Sequence, residues 1–397
     1  MGPLKRSKNG SGALLAISLA HFANDAPLTL LPAVLPIVIN EFNLSYAASG
    51  AIIAVSGVSM TSLQAITGYV ADRMNRITLL FAGLATVGIG TILVSLSTNY
   101  IQLLVFQCLV GVGASIYHPV GYSLLSDTFE SKNRGKALGL GSAAGDVAIP
   151  LAFGSSGFLA FVLGWRNIFL LWGLVTVIVA VVVPLILAEP RQRKVHLTNA
   201  SRSTRQIITT LIPTLVVMGL AGASYKIVTS FTTTYLTTFG LDIDLANTVV
   251  ALMMGIGTVG AVVGGTLTDR LGERNAILLT SIMLGMSSAV TAIVGNVYVI
   301  SIMMCVSGFA LLGVWPPFYS VIASSTNLGA RAFIYGLLFA ISWSFGSLFP
   351  YVSGVSADIF GLPIVYLIVS FVSLLTALIA QLTLKKHDRS RTFESQE

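Results

Sequence analysis

Charge is scarce in this sequence. Asp, Glu, Lys and Arg together make up 9% of its 397 residues, and the mean hydropathy is +0.87. A water-facing surface needs about a quarter of its residues charged, so a set of soluble domains is excluded. Cysteine is scarcer still. Cys108 and Cys305 are the only two, each inside an apolar run with no C-x-x-C or nearby histidine, which excludes a disulfide framework and leaves no metal motif. The chain also lacks a nucleotide-binding P-loop, a G-x-S-x-G elbow and a histidine-rich stretch. Neither nucleotide-driven pumping nor lipid hydrolysis is indicated, so the chain is not expected to be an enzyme and no cofactor is expected.

What the chain does have is apolar length. Hydrophobic residues are 55% of it, in long runs between short polar breaks, and a bilayer core takes about 20 apolar residues per helix. Twelve such runs centre near residues 26, 58, 87, 113, 150, 177, 223, 257, 285, 311, 346 and 374. They are too long for membrane-barrel strands and do not alternate apolar with polar. The expectation is an all-α integral membrane protein of twelve transmembrane helices. The first run follows Lys5, Arg6 and Lys8 as a signal peptide would, but continues to Ile39 without a clear small-residue cleavage site, and reads as a retained span.

Of the 22 Lys and Arg, all but Arg166 and Lys226 fall in the N-terminal segment, the even-numbered connections or the C-terminal tail. Basic residues stay on the cytoplasmic side, so both termini are expected there, in a multi-pass protein of the cell membrane. The stretch EPRQRKVHLTNASRSTRQ, 189–206, reads as a basic cytoplasmic linker between one six-helix bundle, 1–188, and a second, 207–397, with a short basic tail. Topology and anionic headgroups account for its charge, so the bilayer, and not nucleic acid, is the expected partner.

Sliding the sequence against itself by 197 residues exposes a repeat that needs no gap between residues 68 and 164. Gly68, Asp72 and Arg73 fall on Gly265, Asp269 and Arg270; Cys108 and Gly111 on Cys305 and Gly308. Pro119, Tyr122 and Ser123 fall on Pro316, Tyr319 and Ser320; Arg134 and Gly139 on Arg331 and Gly336; Gly157 and Gly164 on Gly354 and Gly361. Six spans per half make the repeats parallel, an architecture of one large transporter class.

GYVADRMNR at 68–76 and its echo GTLTDRLGER at 265–274 resemble the Gly-x-x-x-Asp-Arg signature of the major facilitator superfamily. The likeness spans nearly the whole chain. Asn75 departs from the pattern's glycine, and Glu273 from its usual basic residue. The resemblance implies two parallel six-helix repeats and a cytoplasmic latch built from Gly68, Asp72, Arg73 and Arg134 in one half and Gly265, Asp269, Arg270 and Arg331 in the other, unequal between the halves because of those departures. More narrowly, HFANDAPLTLLPAVLP in the first span and YHPVGY in the fourth resemble the fosmidomycin-resistance type of efflux carriers.

An ionisable side chain at the bilayer centre costs roughly 2.5–3.5 kcal/mol on insertion scales, so each is a functional candidate. There are five: His21, Asp25, His118, Asp146 and Lys226. His21, Asn24 and Asp25 share one face of the first helix, with His21 near the midplane. Asp146 lies near the midplane of the fifth span, where Gly141, Gly145 and Pro150 thin the helix and let a neighbour close. That pattern partly resembles the fifth-helix motif of superfamily antiporters, although Asp146 and Ala148 interrupt it. Lys226, in the seventh span, could pair with Asp25 or Asp146 or receive an anion. A buried histidine often rests on a backbone carbonyl, and Pro119 frees one near His118. None of the five has a charged counterpart in the repeat: Asp146 falls on Trp343, His118 on Trp315, and His21, Asp25 and Lys226 face Met218, Gly222 and Thr29. Tyr117, Tyr235, Trp315 and Trp343 are candidate cavity aromatics, with apolar packing as the alternative.

These features point to a secondary transporter driven by the proton gradient, a monomer with a small-molecule substrate. Efflux of an amphiphilic or anionic compound by antiport leads, symport uptake of a small organic anion follows, and an uncoupled channel or receptor is the reading from another class.

Overall fold

The computed structural model describes residues 10–71, 73–129, 131–187, 201–325 and 340–384. The described chain is helical: α1 Gly10–Phe42, α2 Tyr46–Ala71, α3 Arg76–Ser95, α4 Tyr100–Ala114, α5 Tyr117–Thr128, α6 Ser131–Leu163, α7 Trp165–Ile186, α8 Ser201–Thr237, α9 Ile243–Leu271, α10 Glu273–Ile293, α11 Val297–Gly313, α12 Trp315–Ser325, α13 340–346, α14 Phe349–Phe360 and α15 Pro363–Thr383. Helices close all their backbone hydrogen bonds internally, which is what an apolar solvent demands. Eleven stretches are long and apolar enough to cross a membrane, α4–α5 and α11–α12 each acting as one. The run expected near residue 346 is described only from residue 340, where α13 and α14 cover it, and the stretch before it lies outside the described residues. Both cysteines are free thiols.

The repeat seen in the sequence recurs in the packing. Asn99 caps α4 by accepting from the Gln102 N–H at 3.0 Å, and its counterpart Asn296 caps α11 by accepting from Tyr298 at 3.0 Å. Gly88 and Gly173 bring α3 and α7 into backbone contact, as Gly285 does for α10 against Leu374 and Ser370 of α15. Gly111 sits on the Ser56 carbonyl, and Gly308 on that of Met253, which is Ser56's counterpart. Small residues allow this approach, and in lipid such packing takes over from the hydrophobic effect. Gly164 and Gly361 both adopt positive φ, 79° and 81°, where their helices end.

The chain forms two compact units that do not follow the sequence halves. The first holds Met1–His196, Thr229–Leu252 and Ser347–Leu362; the second holds Leu197–Val228, Met253–Gly346 and Pro363–Glu397. Within the first, segments of the second repeat close on the first at one end of the helices. Asp358 of α14 accepts from the N–H groups of Tyr46 (2.7 Å) and Ala47 (2.9 Å), the unsatisfied donors at the start of α2. Gly354 lies on Tyr46 and Ala47, and its repeat partner Gly157 on Ile243 and Asp244, which are the repeat partners of those two residues. Asn247 donates to the Ala33 carbonyl of α1 at 2.9 Å. Near the same end, Glu41 accepts from Trp165 at 2.6 Å and pairs with Arg166 at 2.5 Å, which accounts for that basic residue.

Candidate functional site

The first unit contains a cluster of polar side chains where α1, α5 and α6 meet. Glycine in α6 makes room for it: a Cβ on Gly145 would overlap the His21 ring, so the helix can approach α1 only because that position is bare. His21 is 3% exposed. Its Nδ1 lies 2.8 Å from the Gly141 carbonyl oxygen, and its Nε2 lies 3.2 Å from Oδ2 of Asp25. The Asn24 amide donates to the other oxygen of Asp25 at 2.8 Å. The His21 ring stacks on Tyr117, centroids 4.4 Å apart at 17°, and meets His118 and Tyr122 edge-on at 5.3 and 6.0 Å.

Proton positions follow from this geometry. A carbonyl oxygen only accepts, so His21 Nδ1 must carry its hydrogen. In a neutral imidazole the other nitrogen is then bare, and an ionised carboxylate has no hydrogen to offer it. Two acceptors 3.2 Å apart repel, so the contact is attractive only with one proton held between them.

Two buried atoms of the cluster, Oδ1 of Asn24 and Nδ1 of His118, have no hydrogen-bond partner among the described residues. The carbonyl that Pro119 frees, that of Ser115, accepts from the Thr67 hydroxyl at 3.0 Å. Tyr117 donates to the Ile17 carbonyl at 3.2 Å, and Tyr122 to Ser142 at 3.4 Å. Asp146 is exposed and close enough to interact electrostatically with His21 and Asp25. His21, Asp25 and His118 each offer one ligand atom, all within 4.8 Å of one another. That spread exceeds twice a transition-metal bond of about 2.1 Å, so the three would have to contract to hold such an ion. A proton fits the His21–Asp25 pair as it stands.

The second unit carries a different cluster at the equivalent positions. Trp343 of α13 stacks on Trp315 of α12, centroids 5.3 Å apart at 8°. Tyr225 of α8 meets Trp343 edge-on at 5.2 Å, and the Lys226 ammonium stands 5.4 Å from the centre of the same ring. Tyr225 lacked any sequence signal apart from its place beside Lys226. Tyr235 belongs to the first unit, buried against Phe239 at 5.0 Å.

The signature region is only partly described. Asp72 and Arg331 lie outside the described residues, and so does the Arg134 side chain. Gly68 and Gly265 pack alike against Pro119 and Pro316. Arg73 is exposed, donates to the Tyr69 carbonyl at 3.1 Å and covers the Tyr69 ring at 3.5 Å; Asp269 and Arg270 are exposed. The two departures have structural sense. Asn75 replaces glycine's positive φ with a side-chain cap, accepting from the Thr78 N–H at 2.8 Å, whereas Gly272 takes φ 79°. Glu273 occupies the place of Arg76, and both reach equivalent serines: Arg76 donates to Ser123 at 3.4 Å and Asp127 at 2.7 Å, while Ser320 donates to Glu273 at 2.8 Å.

The family model of the Major Facilitator Superfamily matches residues 17–349 and 215–397. The chain is similar to the fosmidomycin resistance protein of Escherichia coli (strain K12), 24% identical over 96% of this chain and 95% of that one. In fold it is similar to a bacterial homolog of the human lysosomal transporter Spinster, inward-facing and unoccupied, with TM-score 0.84, 19% identity and 98% of both chains covered. It also matches a D-xylose–proton symporter, with TM-score 0.78, 14% identity and 96% and 99% of the chains covered. With its spans, repeated packing and family match together, the chain belongs to the Major Facilitator Superfamily of membrane transporters, as a multi-pass protein of the cell membrane.

Proposed function

We propose that the chain is a proton-coupled secondary transporter that works by alternating access and exports a small amphiphilic or anionic compound in exchange for protons. One observation carries the reading: the His21–Asp25 contact, which is attractive only when it holds a proton. Loss of that proton leaves two bare acceptors facing each other inside α1, and the repulsion favours a rearrangement of α1 against α6. His118 and Asp146 stand beside the pair and give the proton a route. The proton gradient is the energy source, and one copy of the chain contains the whole cluster, so the monomer is the working unit.

Alternating access requires one end of the molecule to open while the other closes. Release of Tyr46 and Ala47 by Asp358 is the opening step at one end. The doubled Gly-x-x-x-Asp-Arg signature is the latch at the other, on the cytoplasmic side with both termini, where the basic residues concentrate. Similarity to a resistance protein over almost the whole chain favours export.

Vesicles containing the purified protein, given an imposed pH gradient and a panel of organic acids and amphiphiles, test this. The expected result is substrate moving against the proton flux, lost in Asp25→Asn. Substrate moving with the protons would make the protein a symporter for uptake. Flux unchanged in Asp25→Asn and Asp146→Asn would make it an uncoupled channel or receptor.

A further inference from the structure

We propose that Thr176 of α7 is a positioning residue for the proton shared by His21 and Asp25, acting through the backbone carbonyl that Pro27 frees in α1. The inference rests on the proton-coupling reading above and names a residue that sets how tightly the pair holds its proton.

The first argument concerns the backbone. Pro27 lies inside α1 and has no N–H, so the Ala23 carbonyl, four residues earlier, loses its usual helical donor. The fully buried Thr176 hydroxyl lies 3.3 Å from that oxygen. It also lies 2.9 Å from the Trp172 carbonyl of its own helix, and it has one hydrogen for the two. In a continuous α-helix the Trp172 carbonyl already has the Thr176 N–H as its donor. The Ala23 oxygen therefore gains more from the hydroxyl, being the acceptor whose helical partner is missing.

The second argument is where that carbonyl sits. His21 and Asp25 are one turn apart, and their 3.2 Å contact brackets Ala23. The Gly141 carbonyl of α6 anchors His21 on one side. Asp25 lies on the other side, in the turn whose hydrogen-bond ladder Pro27 interrupts, and a helix bends at such a gap. The rest of this contact is apolar: Phe22 meets Trp172 at 5.8 Å, and Ala16, Ala20 and Ala23 share one core cluster with Ala180 and Val183. Apolar packing has no direction, so the Thr176 hydroxyl is what fixes the bend and keeps Asp25 on His21.

The repeat supplies the third argument. At the 197-residue offset Thr176 falls on Ser373, and Pro27 on Ser224. In the second unit Ser373 meets Ser224 side chain to side chain at 3.2 Å, and the proline inside α8 is the distant Pro213. A hydroxyl on the last helix of each half thus meets the first helix of that half. The half that carries the acid–base pair is the one where it meets a freed carbonyl.

Nitrogen NMR of histidine-labelled full-length protein tests this, with the proton itself as the probe. Among the described residues, the other titratable groups facing the pair are Tyr117, His118 and Tyr122 of α5 and Asp146 of α6. None of them is altered by a substitution on α7. Thr176→Val keeps the shape and removes the hydroxyl, so Asp25 should drift from His21, and an imidazolium without its counter-charge releases its proton more readily. The His21 midpoint should fall by about half a pH unit or more. Thr176→Ser should keep the wild-type midpoint, and so should Ser373→Ala. In a Pro27→Ala background, where residue 27 again donates to Ala23, adding Thr176→Val should shift nothing further. If Thr176→Val does not purify, Thr176→Ala carries the same expectations.

An unchanged midpoint in Thr176→Val would overturn the proposal. So would an equal fall in Ser373→Ala, or a full further fall when Thr176→Val is added to Pro27→Ala. Failure here is separable from failure of the coupling. A lowered midpoint in a protein whose vesicles show no pH-driven flux sinks the coupling and keeps the positioning role, whereas pH-driven flux with an unmoved midpoint does the reverse.

Discussion

The imidazole of His21 is suspended between two helices, its Nδ1 2.8 Å from the Gly141 carbonyl oxygen of α6 and its face against the bare Cα of Gly145 one turn later. This fixes the tautomer of His21, and through it the requirement that a proton occupy the contact with Asp25. The cluster's function therefore depends on a glycine as much as on its ionisable groups.

A methyl group on Gly145 should displace the ring. Gly145→Ala is expected to cost about 1–3 kcal/mol of stability, as overpacking does, and to remove most pH-driven transport from the protein that still folds. Gly139→Ala, on the same helix with nothing within 4 Å of the added carbon, is the control and should leave both unchanged. Thermal unfolding and vesicle flux of the two variants check this.

The sign of the pH dependence follows from the shared proton. In an antiporter the proton and the substrate exclude each other, so substrate binding should strengthen as pH rises and the His21–Asp25 pair empties. Asp25→Asn removes the proton site, and its binding should be flat across the same range. Equilibrium binding at several pH values distinguishes this from symport, where affinity falls as pH rises.

Asp358 stabilises one end by holding the start of α2. Asp358→Ala should cost about 1 kcal/mol, the scale of a lost helix cap, and shift the protein toward the conformation open at that end. Ser49, fully buried beside this contact, reports the shift. In a background with Cys108 and Cys305 replaced by serine, Ser49→Cys should react faster with a thiol reagent when Asp358 is absent. An unchanged rate would remove Asp358 from the gating step.

Much of this architecture is legible in the sequence. Spacing alone put His21, Asn24 and Asp25 on one face of α1, and Gly141 and Gly145 marked where another helix could approach. The repeat carried over into the caps of Asn99 and Asn296 and the backbone contacts of Gly111 and Gly308, because the residues that must be small or must cap are dictated locally. Other features depend on tertiary geometry. That Ser115's carbonyl is taken by Thr67 on another helix, with His118 Nδ1 left without a partner among the described residues, has no local signature. Nor does the gathering of 229–252 and 347–362 with the first unit, which rests on Asp358 and Asn247 reaching residues more than two hundred positions away in the chain. Tyr225 was hidden for a similar reason: only the packing of α8 against α13 brings it to Trp343.

The central claim is that His21 always carries hydrogen on Nδ1 and shares a single exchangeable proton with Asp25 through Nε2. Nitrogen NMR of protein labelled at its four histidines, with His21 assigned by its loss in His21→Gln, tests this directly. The account predicts that His21 Nδ1 stays protonated throughout the titration, that only Nε2 responds to pH, and that Asp25→Asn shifts that response. A His21 that is neutral with its hydrogen on Nε2, or whose Nε2 signal ignores Asp25→Asn, would contradict it.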